Sequence, residues 1–195
     1  MTKMYSEKFK EVTNLITPIN QIIKGDDFIN SCLEKIWEDG VKFNVGNEVK
    51  VSIPYSGSGI YVIWADLSNW GESEKPWNIL LSDFLDCWDK PEEISYFPKS
   101  NRTRVKLADY HEKNVWIPFY IGKSENVANR IEQHLYLDPK KSTYALKLNH
   151  RIGLLKGVTF DITWIPLETT KETYFLVAQV ESILREKIAP IIGKQ

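Results

Sequence analysis

Six side chains that can carry charge or exchange protons stand on segments whose patterns predict regular structure. They are Tyr61, Tyr120, Lys123, Arg130, His134 and Glu181. Arginine presents a forked cation that fits a phosphate group, and a carboxylate is a hard oxygen ligand that suits Mg²⁺. Imidazole titrates near neutral pH, whereas an ordinary phenol titrates at about 10 and is a poor base there. Gathered in one place, these groups have the chemistry that phosphodiester hydrolysis requires.

The spacing of the charged residues predicts where they point. Arg130 and His134 are four residues apart, so a helix places both on one face, beside the apolar stripe that includes Ile131. Glu181 likewise flanks an apolar stripe, and it stands four residues before Arg185. Taken singly, these side chains have more ordinary explanations, because a strand tyrosine usually packs in a core and charged pairs at helical spacing usually lie in solvent.

Three runs of β-branched and aromatic residues predict the strands of a small sheet. They cover about residues 59–64, 115–122 and 158–165. Pro118 in the second run indicates an edge strand or a bulge, because proline cannot donate a hydrogen bond to a neighbouring strand.

Helical patterns lie before, between and after these strands. The first forty residues predict two helices, followed by a hairpin around Gly46-Asn47. A helix capped by Ser124 is predicted over about residues 125–136, and another over 143–156. The last helix is predicted to start at a capping box made by Thr169 and Glu172. Helices that cover a small sheet predict an α+β fold.

Two tripeptides resemble the signatures of a known family. Gly59-Ile60-Tyr61 opens one predicted strand and Tyr120-Ile121-Gly122 ends another, as in the GIY-YIG nuclease superfamily. The later spacings agree with that family. Lys123 follows the second tripeptide directly, as in branches that include the incision subunit of nucleotide excision repair, and Arg130 falls ten residues after Tyr120. His134 follows one helical turn after Arg130, and Glu181 precedes Pro190 by nine residues.

The resemblance implies a fold and an activity. It implies a three-stranded, mainly antiparallel sheet flanked by helices, and a Mg²⁺- or Mn²⁺-dependent endonuclease that cuts DNA. It implies that Glu181 binds the metal and that Arg130 contacts the phosphate. Tyr61 is the preferred general base and Tyr120 its partner on the phosphate, although these two roles are exchangeable. Lys123 is expected to lower the pKa of the basic phenol, and His134 to orient it or relay its proton.

The sequence departs from the family pattern in two places. Gly193 stands where the family commonly has an asparagine, and Tyr61 and Tyr120 are 59 residues apart instead of being joined by little more than a hairpin. We therefore expect one nuclease domain over residues 1–195, with an N-terminal extension over 1–54 and an insertion over 65–114. The insertion is interpreted as a recognition or dimerisation element.

The expected insertion contains two contrasting segments. Leu80, Phe84 and Trp88 recur every four residues and predict an acidic amphipathic helix, which is expected to pack on the N-terminal helices. A basic extended segment follows. Its cations are predicted to bind nucleic-acid phosphates: Lys99, Arg102, Arg104 and Lys106. The alternative is a charged edge strand that resists aggregation.

Charge and composition narrow the function classes. The net charge of -1 argues against a general polyanion-binding protein, whereas residues 95–151 carry eleven basic and five acidic side chains. This imbalance favours a bounded phosphate-binding cleft, or else a solvated surface. No segment resembles a signal peptide or a membrane span, so a cytoplasmic location without a membrane partner is expected. Cys32 and Cys87 are predicted to be buried thiols.

The layout favours particular members of the family. A decorated nuclease fold with no separate binding module resembles GIY-YIG restriction endonucleases, so a restriction, defence or phage-associated enzyme is expected. Cutting both strands with one site per chain favours a homodimer or a transient pair. The alternative is a catalytically impaired, nuclease-derived protein that binds nucleic acid or regulates, which Gly193 and the near-neutral charge favour. The third hypothesis is a structural or protein-interaction domain whose residues match the family pattern by chance.

Overall fold

A computed structural model describes residues 2–38, 40–46, 51–71, 75–90, 93–102 and 116–193, without the side chains of residues 2–5. Its helices are α1 (Thr2–Lys24), α2 (Asp26–Ile36), α3 (Trp77–Trp88), α4 (Val127–Tyr136) and α5 (Tyr174–Ile188). Its strands are β1 (Val41–Asn44), β2 (Gly59–Asp66), β3 (Ile117–Ser124) and β4 (Thr159–Pro166). The fold is therefore α+β, as the sequence predicts.

Within the described ranges the sheet has four strands in the order β1-β4-β2-β3, and every neighbouring pair is antiparallel. The predicted number of three is wrong because β1 joins the sheet, with Val41 opposite Ile162 of β4. The sequence predicts this segment as one arm of a hairpin. Val51 and Ile53 in the expected second arm are not in a strand, and residues 47–50 lie outside the described residues. Among the described residues, the partner of β1 is therefore β4, which lies far away in the chain.

The strand β3 lies at one edge of the sheet and carries a bulge. Ile63 of β2 pairs with Tyr120, whereas the next residue, Trp64, pairs with Pro118, so Phe119 is the extra residue. This arrangement confirms the expectation drawn from Pro118. The three predicted strands are also confirmed, with ends displaced by one or two residues.

The central strand β2 is buried on both faces. Tyr61 and Ile63 belong to the core that contains α3 and α4, whereas Ile60 and Val62 belong to the core that contains α2 and α5. Alternation along a strand explains this division, because successive side chains point to opposite faces. Helices on both faces account for the unbroken apolar run of β2, which a sheet with one solvated face does not require.

The two N-terminal helices are confirmed, with Pro18 inside α1 and Gly25 between α1 and α2. The helix α2 buries Ile29 and Ile36 against the face of the sheet that α5 also covers. Of the helices in the described ranges, none is both long and apolar enough to cross a membrane.

The helix α3 confirms one expectation and contradicts two. Leu80, Phe84 and Trp88 form its buried face, as predicted. They pack with Phe119, whose ring centroid is 5.1 Å from that of Trp88, on the face of the sheet opposite α2. The prediction that this helix packs on the N-terminal pair is therefore wrong. Cys32 is buried as predicted, but Cys87 is exposed because the buried face of α3 turns elsewhere.

The start of α4 differs from the prediction in its cap. The side chain of Asn126 accepts a hydrogen bond from the Asn129 N–H at 2.9 Å and caps the helix, so Ser124 is not the cap. The Ser124 hydroxyl instead accepts from the Asn126 N–H at 3.0 Å and shapes the turn before the helix. Ser124 and Asn126 both have short polar side chains that can cap a helix. Because the Ser124 hydroxyl is used in the turn, Asn126 provides the cap.

The predicted helix over residues 143–156 is wrong. Its described backbone contains one 3₁₀ turn, Leu148–Arg151, directly after Lys147. Lys147 has φ +56°, a left-handed conformation that ends a right-handed helix. Tertiary contacts of this lysine, described below, hold it there.

The predicted capping box of the last helix is also wrong. The helix α5 begins at Tyr174, and Thr173 at its N-cap makes no side-chain capping bond. The hydroxyl of Thr173 instead accepts from the Thr170 N–H at 3.0 Å, which closes a turn ahead of the helix. The four-residue apolar spacing is confirmed, since Val180, Leu184 and Ile188 are buried.

Candidate active site

A cleft of about 760 Å³ opens at the edge of the sheet formed by β3. Five of the six predicted residues line it: Tyr61, Tyr120, Lys123, Arg130 and Glu181. The sixth, His134, is fully buried beneath it, with its Nε2 at 2.8 Å from the Tyr61 hydroxyl. The structure therefore brings together all six side chains, which are up to 120 residues apart in the chain.

The position of β3 explains how elements on both faces of the sheet contribute. Tyr120 packs against the core on the α4 side, whereas Ile121, its neighbour, belongs to the core on the α5 side. Lys123 is in phase with Ile121 and reaches Glu181 of α5. Because β3 ends the sheet, side chains from both of its faces can reach one cleft.

The C-terminal segment covers the outer edge of β3 at Pro118 and Phe119. The N–H groups of Ile191 and Ile192 each donate at 2.9 Å, to the carbonyls of Pro118 and Phe119 respectively. The same segment accepts from the Asn101 N–H at 2.8 Å, so it joins β3 to the connection between β2 and β3. The cleft begins just beyond this covered part, at Tyr120.

The glycines of both tripeptides are required by close packing. A Cβ atom on Gly122 would lie 2.3 Å from the Tyr61 hydroxyl oxygen, and one on Gly59 would lie 2.2 Å from the Ile165 carbonyl oxygen. Both distances are far shorter than a van der Waals contact. Gly122 therefore allows the Tyr61 phenol to pass across β3, and Gly59 allows β2 and β4 to pair at that level.

The tautomer of His134 follows from its two hydrogen bonds. The Leu146 N–H donates to Nδ1 at 3.0 Å, so Nδ1 carries no proton and Nε2–H donates to the Tyr61 oxygen. Burial, assisted by the charge of Arg130, lowers the pKa of His134 well below its ordinary value, so the ring stays neutral. His134 is thus placed to orient Tyr61, and Nε2 has no lone pair with which to accept the phenol proton.

Burial raises the pKa of Tyr61 well above its ordinary value, and Tyr120 adds to this effect. The charge of Arg130 acts in the opposite direction. The expectation that Lys123 lowers the pKa of this phenol is wrong, because the Lys123 ammonium is paired with a carboxylate instead. Its Nζ lies 3.2 Å from Oε2 of Glu181.

Two cations hold the buried carboxylate of Glu181. Oε2 accepts from Lys123, and Oε1 forms an ion pair with Arg185 one helical turn further along α5. Burial, with the nearby charge of Arg185, lowers the pKa of Lys123. Arg185 lines the cleft, although the sequence indicated only an ordinary helical ion pair. Its spacing from Glu181 was the signal for this additional site residue.

Glu181 has the chemistry of a ligand for a hard cation. Mg²⁺ accepts one or two protein carboxylates and completes its shell with water and phosphate oxygens. Within the described ranges, no three His, Cys, Asp or Glu side chains lie close enough to enclose an ion. An ion bound at Glu181 would therefore take most of its ligands from water and substrate, and it would compete with Lys123 and Arg185 for the carboxylate oxygens.

Arg130 is held at the mouth of the cleft by two hydrogen bonds. Its Nη1 donates to Gln133 Oε1 at 2.7 Å, and its Nη2 donates to the Tyr144 carbonyl at 2.6 Å. The guanidinium is thus fixed in orientation while it lines the cleft. A fixed, forked donor suits the recognition of a phosphate group.

The predicted phosphate-binding residues of the β2–β3 connection have different surroundings. Lys99 lines the cleft and is exposed, with its Nζ 4.1 Å from the centroid of the Phe97 ring and donating to the Asp89 carbonyl at 2.8 Å. Arg102 forms ion pairs with Asp86 and, at 3.9 Å, with Asp89. Arg104 and Lys106 lie outside the described residues.

Gly193 lies at the cleft in a conformation that other residues rarely adopt. Its φ is +124°, its N–H donates to the Lys99 carbonyl at 2.9 Å, and a Cβ would lie 3.4 Å from the Tyr120 ring. An asparagine with this backbone conformation would be strained. The local backbone conformation therefore explains why this chain has glycine where the family commonly has asparagine.

Sequence analysis missed several parts of the cleft wall. They include Phe97, Ser100, Tyr144 and Arg185. The first three lie in irregular segments, where no periodic pattern marks a side chain as pointing inward. Only Arg185 carried a signal, its helical spacing from Glu181.

Comparisons with known proteins leave the function to be inferred from the cleft itself. No protein-family model matches the chain, and neither a curated protein sequence nor a solved structure does. The side chains, their distances and their charges are thus what a functional proposal depends on.

Proposed function

We propose that this chain is an endonuclease of the GIY-YIG type that hydrolyses phosphodiester bonds of DNA with the help of Mg²⁺ or Mn²⁺. The proposal rests on one observation, that five of the six predicted side chains line one cleft and the sixth, His134, is hydrogen-bonded to Tyr61. The five are Tyr61, Tyr120, Lys123, Arg130 and Glu181. A restriction, defence or phage-associated role is proposed on the resemblance alone.

The charge of the cleft supports a polyanionic substrate. Among the described residues, its charged lining consists of one carboxylate, Glu181, and four cations: Lys99, Lys123, Arg130 and Arg185. A concave surface with an excess of one sign concentrates its field and attracts the opposite charge. The net charge of the whole chain is -1, so this local excess distinguishes the cleft from the rest of the molecule.

Arg130 is proposed to bind the scissile phosphate, and Glu181 to hold the metal. The bound metal supplies charge neutralisation at the phosphate and at the leaving oxygen. In the free protein the ion pairs with Lys123 and Arg185 orient the Glu181 carboxylate within the cleft. Their positive charges also favour an approaching phosphate.

Tyr61 is proposed as the group that accepts the proton of the attacking water. Phenolate formation is opposed by burial and favoured by two neighbours, the Nε2–H of His134 and the charge of Arg130. Tyr120 is proposed as a hydrogen-bond donor to the phosphate. The exchanged assignment has Tyr120 as the base. The pH dependence of the cleavage rate in Tyr61→Phe and in Tyr120→Phe distinguishes the two assignments.

The test is incubation of plasmid DNA, linear DNA and RNA with the purified protein, with Mg²⁺, with Mn²⁺ or with EDTA. Glu181→Ala and Arg130→Ala are compared with Glu186→Ala, a control because Glu186 is exposed on the same helix as Glu181. We expect metal-dependent cleavage of DNA that only the first two variants lose. Discrete fragments indicate a sequence-specific enzyme, and a smear indicates a general one.

A second function is a nuclease-derived protein that binds nucleic acid without cutting it. The observation that favours it is the double ion pair of Glu181, which occupies both carboxylate oxygens. DNA that is bound but remains intact with either metal supports this function and contradicts the first one.

Cleavage of both strands by one site per chain leads us to propose pairing of two chains on the substrate. Sedimentation of the protein with and without DNA measures this directly. A single chain that nicks one strand per binding event contradicts it.

A further inference from the structure

Two tyrosine rings at the mouth of the cleft are left in solvent. Tyr144 lines the cleft and is 61% exposed, and Tyr96 is 54% exposed. Their ring centroids are 6.1 Å apart and their planes differ by 76°. This tyrosine pair presents a large apolar surface beside a cleft with an excess of positive charge.

Buried contacts hold Tyr96 in place. Its φ of +51° is uncommon for a bulky residue. The ammonium of Lys147, a fully buried side chain, donates to the carbonyls of Tyr96 at 3.3 Å and of Ser95, and also to those of Pro139 at 3.0 Å and Lys141 at 2.8 Å. One cation thus ties the loop that carries Tyr96 to the chain after α4.

The second tyrosine is tied to the proposed phosphate site. The Tyr144 carbonyl accepts a hydrogen bond from Arg130, whose charge also acts on Tyr61. Arg130 and Tyr144 also line the same cleft, so a phosphate held by Arg130 would lie on the same surface as Tyr144. In a nucleotide strand the base and the phosphate are separated only by the sugar, so both can contact one such surface.

We propose that the tyrosine pair is a stacking site for an unpaired nucleobase, next to the phosphate that Arg130 binds. The inference rests on the proposed function for the position of that phosphate. Every base has a π-face that stacks on an aromatic ring, and a cationic groove beside such a ring is the common arrangement for binding single strands. A base inside a duplex is already stacked on both sides and must leave the helix to reach a protein ring. The substrate class is therefore DNA that is single-stranded or locally unpaired at the site of cleavage.

Charge selects a nucleic acid over other occupants of this surface. Lys99 is an exposed cation from the same loop as Tyr96, and it lines the cleft together with Tyr144. An apolar peptide would gain nothing from the four cations of the cleft, whereas a nucleotide strand satisfies the aromatic and the cationic surfaces together.

The test measures binding without cleavage. A single-stranded oligonucleotide that contains the fluorescent base 2-aminopurine is titrated with the protein in EDTA, beside the same strand in a fully paired duplex. The variants are Tyr144→Ala, Tyr96→Ala and Tyr144→Phe, with Phe175→Ala as the control because Phe175 is exposed on α5 and does not line the cleft. Thermal melts verify that each variant is folded.

We expect a change in 2-aminopurine fluorescence on binding of the single strand, and tighter binding of that strand than of the duplex. Tyr144→Ala is expected to weaken single-strand binding by about 5- to 100-fold and Tyr96→Ala by less, whereas Tyr144→Phe retains it. Duplex binding should be unchanged in all variants. Single-strand binding that Tyr144→Ala leaves intact, or that Phe175→Ala weakens equally, overturns the inference.

The outcome separates this inference from the proposed function. A protein that cuts duplex DNA and is indifferent to Tyr144 is a nuclease without this stacking site. A protein that binds the single strand through Tyr144 but cuts nothing has the stacking site without the nuclease activity.

Discussion

The two walls of the cleft are built in different ways. One wall consists of β2, β3, α4 and α5, and it carries the six residues that sequence analysis singled out. The other consists of irregular chain, residues 97–100, 144 and 193, and its position depends on individual hydrogen bonds. The regular wall holds groups with proton and charge chemistry, whereas the irregular wall holds exposed aromatic surface and one lysine.

The comparison indicates that rigid elements and adaptable loops carry different kinds of functional groups. Side chains on packed strands and helices have their direction imposed by the backbone, which suits reacting groups that must be held within a fraction of an ångström. Loops tolerate changes of sequence and length, which suits groups that select a substrate. Here the loop wall is stiffened by Lys147, so it combines loop geometry with a buried anchor.

The largest expected effect breaks the regular wall. Gly122→Ala puts a methyl group 2.3 Å from the Tyr61 oxygen, so either the phenol or β3 must move. We expect a loss of about 1–3 kcal/mol in the free energy of unfolding, and DNA cleavage lowered by about 100-fold or more because the phenol is displaced. Chemical denaturation and cleavage rates measure the two effects.

Gly153→Ala is the matched control, because a Cβ there has no atom within 4 Å. It should behave as the natural protein does. Normal cleavage by Gly122→Ala would show that cleavage does not depend on the position of the Tyr61 phenol.

The next effect concerns the proton chemistry of the same wall. Because burial raises the pKa of Tyr61 above its ordinary value, the phenolate fraction increases with pH throughout the range below that pKa. We therefore expect cleavage to rise with pH and to approach tenfold per pH unit between about pH 7 and 10, without a plateau. Tyr61→Phe should abolish the rise with pH and lower the cleavage rate by about 100- to 10,000-fold.

Tyr120→Phe should keep the alkaline rise while it lowers the rate. If Tyr120→Phe abolishes the rise and Tyr61→Phe retains it, the two tyrosines exchange roles. A plateau near neutral pH in the natural protein identifies a different base.

A smaller effect loosens the irregular wall. Lys147→Met removes the buried ammonium, whose three N–H groups are shared by four carbonyls, and a hydrogen bond to a charged group contributes about 1.5–3 kcal/mol net. We expect about 3 kcal/mol less stability and a clear loss of single-strand binding. Urea unfolding and 2-aminopurine titration measure these changes, with Lys140→Met as the control because Lys140 is exposed.

Equal stability of Lys147→Met and Lys140→Met would mean that the loop wall is held by other contacts. Retained stacking in a destabilised Lys147→Met protein would show that the tyrosine pair does not depend on this anchor.

The smallest effect separates two cations of the same connection. Lys99→Ala should weaken DNA binding several-fold and reduce the salt dependence by about one unit of slope, because Lys99 lines the cleft. Arg102→Ala should change binding little, since its exposed guanidinium is paired with Asp86 and Asp89. Titrations at several salt concentrations measure both. A larger salt effect from Arg102 would place the nucleic acid along α3.

Sequence alone predicted the regular wall and the six side chains that come together there. The β-branched runs marked β2, β3 and β4, and the i, i+4 spacing placed Arg130 and His134 on one face of α4. These features follow from local periodicity, which depends only on neighbouring residues. Pro118 likewise indicated an edge or bulge through its own missing donor.

Only the tertiary structure decided the fourth strand, the pairing of Lys123 with Glu181, and the direction in which the pKa of Tyr61 shifts. It also decided the left-handed conformation at Lys147, which replaced a predicted helix with a short turn. Each of these depends on groups distant in the chain, since strand pairing, burial and buried hydrogen bonds arise when separate elements meet. No local pattern contains that information.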